Sequence, residues 1–302
     1  EIMTPAEDDT PPGGRVGAVI RHALGQPEPK LSDADTAFAE ALAAADGALA
    51  DFACGAAYQT AKVHEAAWRA FDRVDQALQV HSDFLVDRIF QSLANAADVK
   101  DPAATAQAIA ERHAGNPRTW LACASMHRTR DDAEQAALDK AAEIEPDDPL
   151  VRLRRGEFFA RENDVPAAIE EYQHLLKLRP DDPVGNNNLA YHLLLTGGDV
   201  DRALEAAQTA AEGLPRDPHV LHTLGVAQLR TGDLENSRES LTAALQMRPG
   251  DPALLLDYGK LLIELGNAES GRSHVQSALN YARALGLEFE RREEAEKILA
   301  ET

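Results

Sequence analysis

The sequence predicts an all-α protein built as a stack of antiparallel helix pairs. Asp-Pro steps recur at 148–149, 182–183, 217–218 and 251–252, at spacings of 34, 35 and 34 residues. Between these steps the apolar residues follow a helical period that is broken once by a tight turn. Small residues return at the same phase in each unit. A fixed period near 34 with such landmarks is typical of a helical repeat array.

The clearest unit runs from Asp217 to Pro252. Asp217 is placed to cap a first helix, and Pro218 takes its first position, where the missing amide hydrogen costs nothing. The apolar pattern is broken at 231–233 and then resumes as a second helix. A Pro-Gly step at 249–250 ends that helix. We therefore expect two amphipathic helices joined by a short turn.

Each unit has small residues where two helices are expected to approach closely. In the first helices they are Gly156, Ala190, Gly225 and Gly259. In the second helices they are Ala168, Ala203, Ser237 and Gly271, and the residues four places later are Tyr172, Ala207, Leu241 and Val275. We expect the larger of these residues to fill the space that the small ones leave.

Over 149–285 these landmarks resemble the signature of the tetratricopeptide repeat family, in its bacterial form. The resemblance implies four clear repeats in a right-handed superhelical solenoid. It also implies an inner, concave face that is lined by the first helices of successive repeats. Fold resemblance of this kind indicates the architecture and says little about the ligand.

Composition excludes several classes of function. The formal net charge is −21, which does not suit a phosphate backbone, so we expect no nucleic-acid partner. No apolar run approaches the ~18 residues that a membrane span needs, and no signal peptide is visible. We expect a soluble protein of the cytoplasm or periplasm. Because the chain begins with Glu1, we also expect a processed form, a piece of a longer chain, or an expressed form whose natural start is Met3.

The flanking segments are predicted in chain order. Residues 1–30 are rich in Pro, Gly and acidic residues and predict a flexible tail. Residues 31–81 predict one helical hairpin that caps the array, with Gly55 interrupting its two helices. Residues 82–148 predict two degenerate repeats, and 286–302 predict a closing helix from Phe289 to Ala300. Terminal elements of this kind cover the apolar face that an end repeat exposes.

No catalytic motif or cofactor-binding motif is present, so we expect neither catalysis nor a cofactor. His219 and His222 lie three residues apart on a helix, but no third ligand is signalled nearby, so we expect no metal site. Cys54 and Cys123 do not form a disulfide framework. Both are predicted to be buried packing residues, because free Cys behaves as a small hydrophobe.

The candidate site is the inner face of the first helices. Leu194 and Leu195 are among the positions projected onto this face. Asn side chains can hold a peptide backbone, and tyrosine offers a flat contact. The predicted groove residues are Arg154, Arg161, Asn187, Asn188, Tyr191, His219, His222, Thr223, Arg230 and Lys260.

The sequence thus predicts a non-catalytic scaffold that binds an extended, partly acidic protein segment in this groove. Two alternatives remain open. The chain is the recognition portion of a larger transferase that carries tetratricopeptide repeats, or it is an assembly factor of a bacterial envelope or exopolysaccharide system. A downstream catalytic domain would favour the former, and an upstream signal peptide would favour the latter.

Overall fold

The structure is a computed structural model that describes residues 19–20, 33–45, 47–78, 82–97, 99–127 and 132–301. Within these ranges the regular secondary structure consists of sixteen α-helices and no strands. The chain forms two compact units, one up to Pro146 and one from Asp147 onward. The predicted tail at 1–30 lies, apart from residues 19–20, outside the described residues. The predicted all-α class is confirmed.

The first unit contains seven of the helices. They are α1 (Asp33–Ala44), α2 (Ala48–Thr60), α3 (His64–Ala77), α4 (Asp83–Asn95), α5 (Pro102–Arg112), α6 (Pro117–Met126) and α7 (Asp132–Ile144). An aromatic cluster lies at the centre of α1 to α4. The Phe38 and Phe52 ring centroids are 5.4 Å apart, and those of Phe52 and Phe71 are 5.7 Å apart. These three rings are fully buried and form the core of this end of the unit.

The predicted hairpin at 31–81 is instead three helices. Gly47 has a positive φ of 76° and Lys62 has a φ of 59°, so the chain turns at these two residues. Gly55, predicted as the interruption, lies inside α2 and against α3. A Cβ atom at Gly55 would be 2.7 Å from Phe71 Cδ1. The pair α2–α3 therefore has the same small-against-large contact as the clear repeats, which sequence analysis missed.

The second unit contains the clear repeats. Its first helices are α8 (Pro149–Arg161), α10 (Pro183–Thr196), α12 (Pro218–Arg230) and α14 (Pro252–Glu264). Its second helices are α9 (Val165–Leu178), α11 (Val200–Gly213), α13 (Leu234–Met247) and α15 (Ala268–Ala284), and α16 (Arg292–Ala300) follows them. Successive helices pack on each other along the whole unit. The closing helix begins three residues later than predicted.

The Asp-Pro steps begin the first helices as predicted. In each case the Asp carboxylate accepts a hydrogen bond from a free amide of the first turn, and Pro occupies the first helical position. The Asp217 carboxylate, for example, accepts from the amides of His219 and Val220 at 2.8 and 3.2 Å. These caps fix where each first helix starts and hence which residues it presents on each face.

The two helices of a pair are held close by the small residues of the first helix. A Cβ atom at Gly225 would lie 2.6 Å from Leu241 Cγ, and one at Gly156 would lie 2.5 Å from Tyr172 Cε1. Leu241 and Tyr172 are fully buried. The predicted landmarks are therefore the contacts that set the distance between paired helices.

The two cysteines differ from each other. Cys123 is buried, and burial together with Glu111 raises the pKa of its thiol to about 11. Cys54 is exposed, because it lies on the side of α2 that faces away from the aromatic cluster around Phe52. The prediction that both cysteines are buried is therefore wrong for Cys54.

Candidate functional site

The candidate site is the face of the second unit formed by its first helices. Besides packing on their own partners, α10 packs directly on α12, and α12 packs directly on α14. Side chains at equivalent positions of successive first helices therefore lie in neighbouring rows. Tyr191, Val226 and Lys260 occupy one such row, and Leu195, Arg230 and Glu264 occupy another, one turn further along. We call this surface the inner face.

The most exposed apolar residues of the inner face lie on α10. Tyr191 retains 48% of its surface and Leu195 retains 55%, although both are large hydrophobic residues. They are four residues apart, so they share one side of the helix. The Tyr191 ring meets His192 edge-on, with ring centroids 5.1 Å apart. Leu194, also projected onto this face, is instead buried at 6% exposure.

The two asparagines of α10 have different environments. Asn188 hydrogen-bonds with the hydroxyl of Tyr172, whose pKa is raised well above its ordinary value by burial and by Glu157. Asn187 Nδ2 makes a long contact of 3.5 Å to Asn188 Oδ1. Asn187 Oδ1 is buried without a hydrogen-bond partner. Buried acceptors are normally satisfied, so Asn187 is the asparagine with unused capacity.

Several of the predicted groove cations are already paired. Arg154 Nη1 donates to Glu157 Oε2 at 2.8 Å, and Lys260 Nζ donates to Glu294 Oε1 at 2.6 Å. Lys260 also lies 3.9 Å from the carboxylate of Asp257. Their charge is therefore largely neutralised on the inner face.

A buried carboxylate organises the end of this face. Asp257 of α14 is 2% exposed and accepts a hydrogen bond from His222 Nε2 at 2.8 Å. Arg291, immediately before α16, donates to both of its oxygens at 2.7 and 2.8 Å. Burial by itself would raise the pKa of Asp257. The hydrogen bonds from His222 and Arg291 outweigh burial and hold the pKa far below its ordinary value.

The predicted histidine pair does not converge on one point. His222 is bound to Asp257, whereas both ring nitrogens of His219 lie near Arg248 Nη1, at 3.1 and 2.8 Å. In the described ranges no group of three or more His, Cys, Asp or Glu side chains is arranged to hold a metal ion. Thr223 is buried, and its hydroxyl donates to the carbonyl of His219 at 3.0 Å, so it offers little to a ligand.

Two of the predicted groove cations are exposed to solvent. Arg161 and Arg230 are both exposed, at the ends of α8 and α12. The guanidinium of Arg161 lies over the Phe158 ring, 5.9 Å from its centroid. Within the described residues no ion pair to Arg230 is seen. Arg161 lies on the first helix before α10, and Arg230 lies on the first helix after it. The exposed residues Tyr191 and Leu195 therefore have a positively charged residue on each neighbouring first helix.

Sequence analysis missed Arg291 and Glu294, which reach the inner face from beyond the last repeat. The 34-residue period contains the information that would have identified these two residues. Asp257 and Arg291 are 34 residues apart, as are Lys260 and Glu294. Continuing the period past residue 285 would have paired them, but the segment was interpreted only as a polar closing helix.

The fold and this face define a helical-repeat protein of the kind that presents a surface for other proteins. Two family models, both described as tetratricopeptide repeat, match the chain. One matches residues 127–183 and 190–252, and the other matches residues 229–285. Together they span just over half of the 302 residues. The chain belongs to the tetratricopeptide repeat family, whose members are typically protein-interaction scaffolds.

Solved structures share this fold at low sequence identity. A structure of PilW, described as a widely conserved type IV pilus biogenesis factor, is 18% identical, has a TM-score of 0.53, and covers 72% of this chain and 100% of its own. MamA from Desulfovibrio magneticus RS-1, residues 41 to the end, is 19% identical and has a TM-score of 0.47. The match covers 60% of this chain and 96% of the MamA chain. No curated protein sequence matches the chain. Among the described helices, none has the length and apolar character needed to cross a membrane.

Proposed function

We propose that this protein is a non-catalytic scaffold that binds an extended protein segment along the inner face of its second unit. The observation that carries the proposal is the exposure of Tyr191 and Leu195, one turn apart on a first helix. Large apolar side chains cluster on a surface mainly where something else covers them. Aromatic residues are also the commonest anchors at protein interfaces.

The charges around this pair favour a partner with some negative charge. Arg154 and Lys260 are neutralised by Glu157 and Glu294, so they contribute less than their number suggests. Arg230 of α12 is at the surface, and no ion pair to it is seen among the described residues, while Arg161 of α8 is also exposed. A net charge of −21 repels an acidic ligand at long range, but screening at physiological salt limits that repulsion to about 8 Å. Local cations then decide the preference, which is modest.

Asn187 supports an extended backbone as the ligand. Its side-chain oxygen is buried without a partner, beside the exposed Tyr191. If the Asn187 side chain rotates outward on binding, an amide N–H of the peptide would satisfy that oxygen while an apolar side chain of the peptide packs on Tyr191 and Leu195. The ligand that fits is therefore an extended segment with one apolar anchor and an acidic neighbour.

The same face would serve the protein as a free adaptor, as the recognition portion of a larger transferase, or as an envelope assembly factor. PilW shares the fold at only 18% identity, so its role in pilus biogenesis describes PilW and is not transferred to this chain. All three roles require binding at the inner face, and the experiment below tests that requirement.

The test is partner capture with the full chain. Tyr191→Ala/Leu195→Ala removes the exposed pair. The second unit offers a matched control, because Tyr281 and Leu285 at the end of α15 have the same spacing and are 46% and 62% exposed. Partners retained by the wild type and by Tyr281→Ala/Leu285→Ala but lost by Tyr191→Ala/Leu195→Ala support the proposal. Equal retention by all three chains, or loss only in the control, shows that the inner face is not the binding surface.

A further inference from the structure

A cleft of about 620 Å³ lies between α3 and α5 in the first unit. Trp68 and Asp72 of α3 form one wall, and Ala104 and Ala108 of α5 form the other. The segment at 99–101 closes one side. This cleft lies in a different compact unit from the inner face, and the proposed function does not use it.

Among the described residues, the ion pairs between α5 and α3 lie at one end of the cleft. Arg112, the last residue of α5, binds Asp72 and lies 3.0 Å from Asp75, and His113 Nε2 is 2.9 Å from both oxygens of Asp75. Toward its other end, α5 turns the short side chains of Ala104 and Ala108 toward Trp68. Alanine side chains cannot reach across such a gap, and α5 packs chiefly on α6 rather than on α4.

The acidic groups of the cleft are already engaged. Asp101 caps α5 by accepting from the Ala104 amide at 2.9 Å. Asp72 accepts from Arg112 and, at 2.7 Å, from Gln76 Nε2. Asp72 is therefore paired with Arg112, whereas Asp101 keeps its charge next to Lys100 in the chain.

The remaining cations are at the surface. Lys100 is exposed, and within the described residues no ion pair to it is seen. Arg69 retains 61% of its side-chain surface, lies over the Trp68 ring at 5.7 Å, and pairs with Glu65 at 2.5 Å. Among the charged residues that line the cleft, Lys100 is therefore the cation for which the described residues show no ion pair.

We infer that this cleft binds a protein segment that carries an aromatic or aliphatic side chain next to an Asp or Glu. The apolar side chain packs between the half-buried Trp68 ring and the exposed Ala108, and the neighbouring carboxylate binds Lys100. The volume lies within the range of known ligand-binding clefts, and the cleft is largely open to solvent, as a site for an extended segment must be. The exposed ammonium of Lys100 favours this occupant over a basic one.

Tryptophan provides a direct readout, because the chain has two. Trp68 lines the cleft, whereas Trp120 is buried in α6 and its indole N–H donates to the carbonyl of Ala114 at 3.1 Å. The wild-type chain with ¹⁵N-labelled indoles therefore gives a signal from the cleft and an internal control from the core. Trp68→Phe assigns the two signals.

The probes are two panels of blocked hexapeptides with a central Phe or Leu, flanked either by Glu or by Lys. We expect at least one Glu peptide to shift the Trp68 signal saturably, without moving that of Trp120. Lys100→Glu should weaken this binding roughly three- to tenfold. Ala108→Glu, at an exposed helical position that tolerates the change, should weaken it at least as much. Tyr191→Ala/Leu195→Ala should leave it unchanged, which separates this site from the inner face.

Three results would overturn the inference. They are a Trp68 signal that no Glu peptide moves, equal shifts with the Lys peptides, and binding that is insensitive to Lys100→Glu and Ala108→Glu in chains that melt like the wild type. A Trp68 shift that follows protein concentration alone, with a matching rise in mass by sedimentation, would assign the cleft to a second copy of the chain instead.

Discussion

Arg291 donates two parallel hydrogen bonds to the carboxylate of Asp257, from Nη1 to Oδ2 at 2.7 Å and from Nη2 to Oδ1 at 2.8 Å. Asp257 lies on the last first helix, and Arg291 immediately precedes the closing helix α16. Because the carboxylate is 2% exposed and His222 binds it from α12, a single buried charge connects three successive layers of the second unit. Two-pronged Arg–carboxylate pairs are among the stronger polar contacts in proteins.

The first prediction concerns the attachment of α16. Arg291→Met removes the guanidinium and leaves Asp257 with only His222 and the more distant Lys260. We expect a loss of about 1–3 kcal/mol in the free energy of unfolding, below the range for fully buried pairs because Arg291 is partly exposed. Urea unfolding measures the loss, and hydrogen exchange should show α16 opening first. Lys297→Met is the control, since Lys297 lies on α16, is 77% exposed, and is 3.9 Å from its partner Glu301. Equal effects of the two changes would contradict this account.

The second prediction concerns pH. The pKa of Asp257 is lowered in the folded chain, so at acidic pH the unfolded chain binds more protons than the folded chain. Its contribution to stability is complete above the unfolded value of ~3.9 and is lost as the pH falls below that value. The free-energy difference between wild type and Asp257→Asn should therefore narrow from pH 6 to pH 3. A difference between wild type and Asp257→Asn that stays constant from pH 6 to pH 3 would refute the assignment.

The third prediction concerns the close approach of α12 and α13. Gly225→Leu places a side chain where Leu241 already lies, and a Cβ alone would be 2.6 Å from Leu241 Cγ. Overpacking of this kind should cost about 1–3 kcal/mol by urea unfolding. Coincident unfolding curves for wild type and variant would show that the two helices do not depend on this contact.

A pair of single variants and their double variant measures the packing between Gly225 and Leu241 directly. The pair α10–α11 has alanine at both equivalent positions, Ala190 and Ala207. Gly225→Ala and Leu241→Ala should each destabilise the protein, but Gly225→Ala should cost less when Leu241 is already alanine. A double-mutant cycle measures this coupling, and strictly additive losses would contradict direct packing.

The fourth prediction concerns electrostatics at the inner face. For a partner captured through Tyr191 and Leu195, Arg230→Gln should weaken binding only slightly, because an exposed charge contributes little to affinity. It should nevertheless reduce the dependence of affinity on salt, since screening acts on such charges. Titrations at two ionic strengths check this. Lys260→Gln should change the salt dependence less, because Glu294 already neutralises Lys260.

The fifth prediction concerns the thiols. Cys54 is exposed, whereas Cys123 is buried and its pKa is raised to about 11. A thiol reagent at neutral pH should label one cysteine rapidly in the folded protein and two after unfolding in urea. Cys54→Ser should abolish the rapid phase, and rapid labelling of that variant would mean that Cys123 is accessible.

The repeats could be predicted from sequence because local chemistry determines them. Asp148, Asp182, Asp217 and Asp251 cap helices within their own unit, so the Asp-Pro period identifies each helix start without knowledge of distant contacts. The turns at Gly47 and Lys62 were missed because Lys at a positive φ has no sequence signature, while Gly55 was misread as a breaker. Its role depends on Phe71, a partner on another helix.

The inner face was only partly predictable for a related reason. Helical projection identifies which residues face one side, and it placed Tyr191 and Leu195 correctly on an exposed surface. It cannot identify which charges neutralise each other across helices. Lys260 was expected to be available to a ligand, yet Glu294 of α16 binds it, whereas Arg154 pairs with Glu157 of its own helix. The 34-residue period brings Lys260 and Glu294 to equivalent positions, but whether two such side chains form an ion pair also depends on their conformations.

The matched residues within each helix pair limit how these repeats can be recombined. Gly225 accommodates Leu241, whereas the equivalent residues of α10 and α11 are Ala190 and Ala207, which belong to one buried cluster. A genetic crossover in the turn between paired helices would join Ala190 to Leu241, which is too bulky, or Gly225 to Ala207, which leaves a void. A crossover at an Asp-Pro step would transfer both matched residues together. The smallest unit that can be exchanged or duplicated without loss of packing is therefore the whole helix pair, which makes the Asp-Pro steps the natural junctions for building longer or shorter arrays.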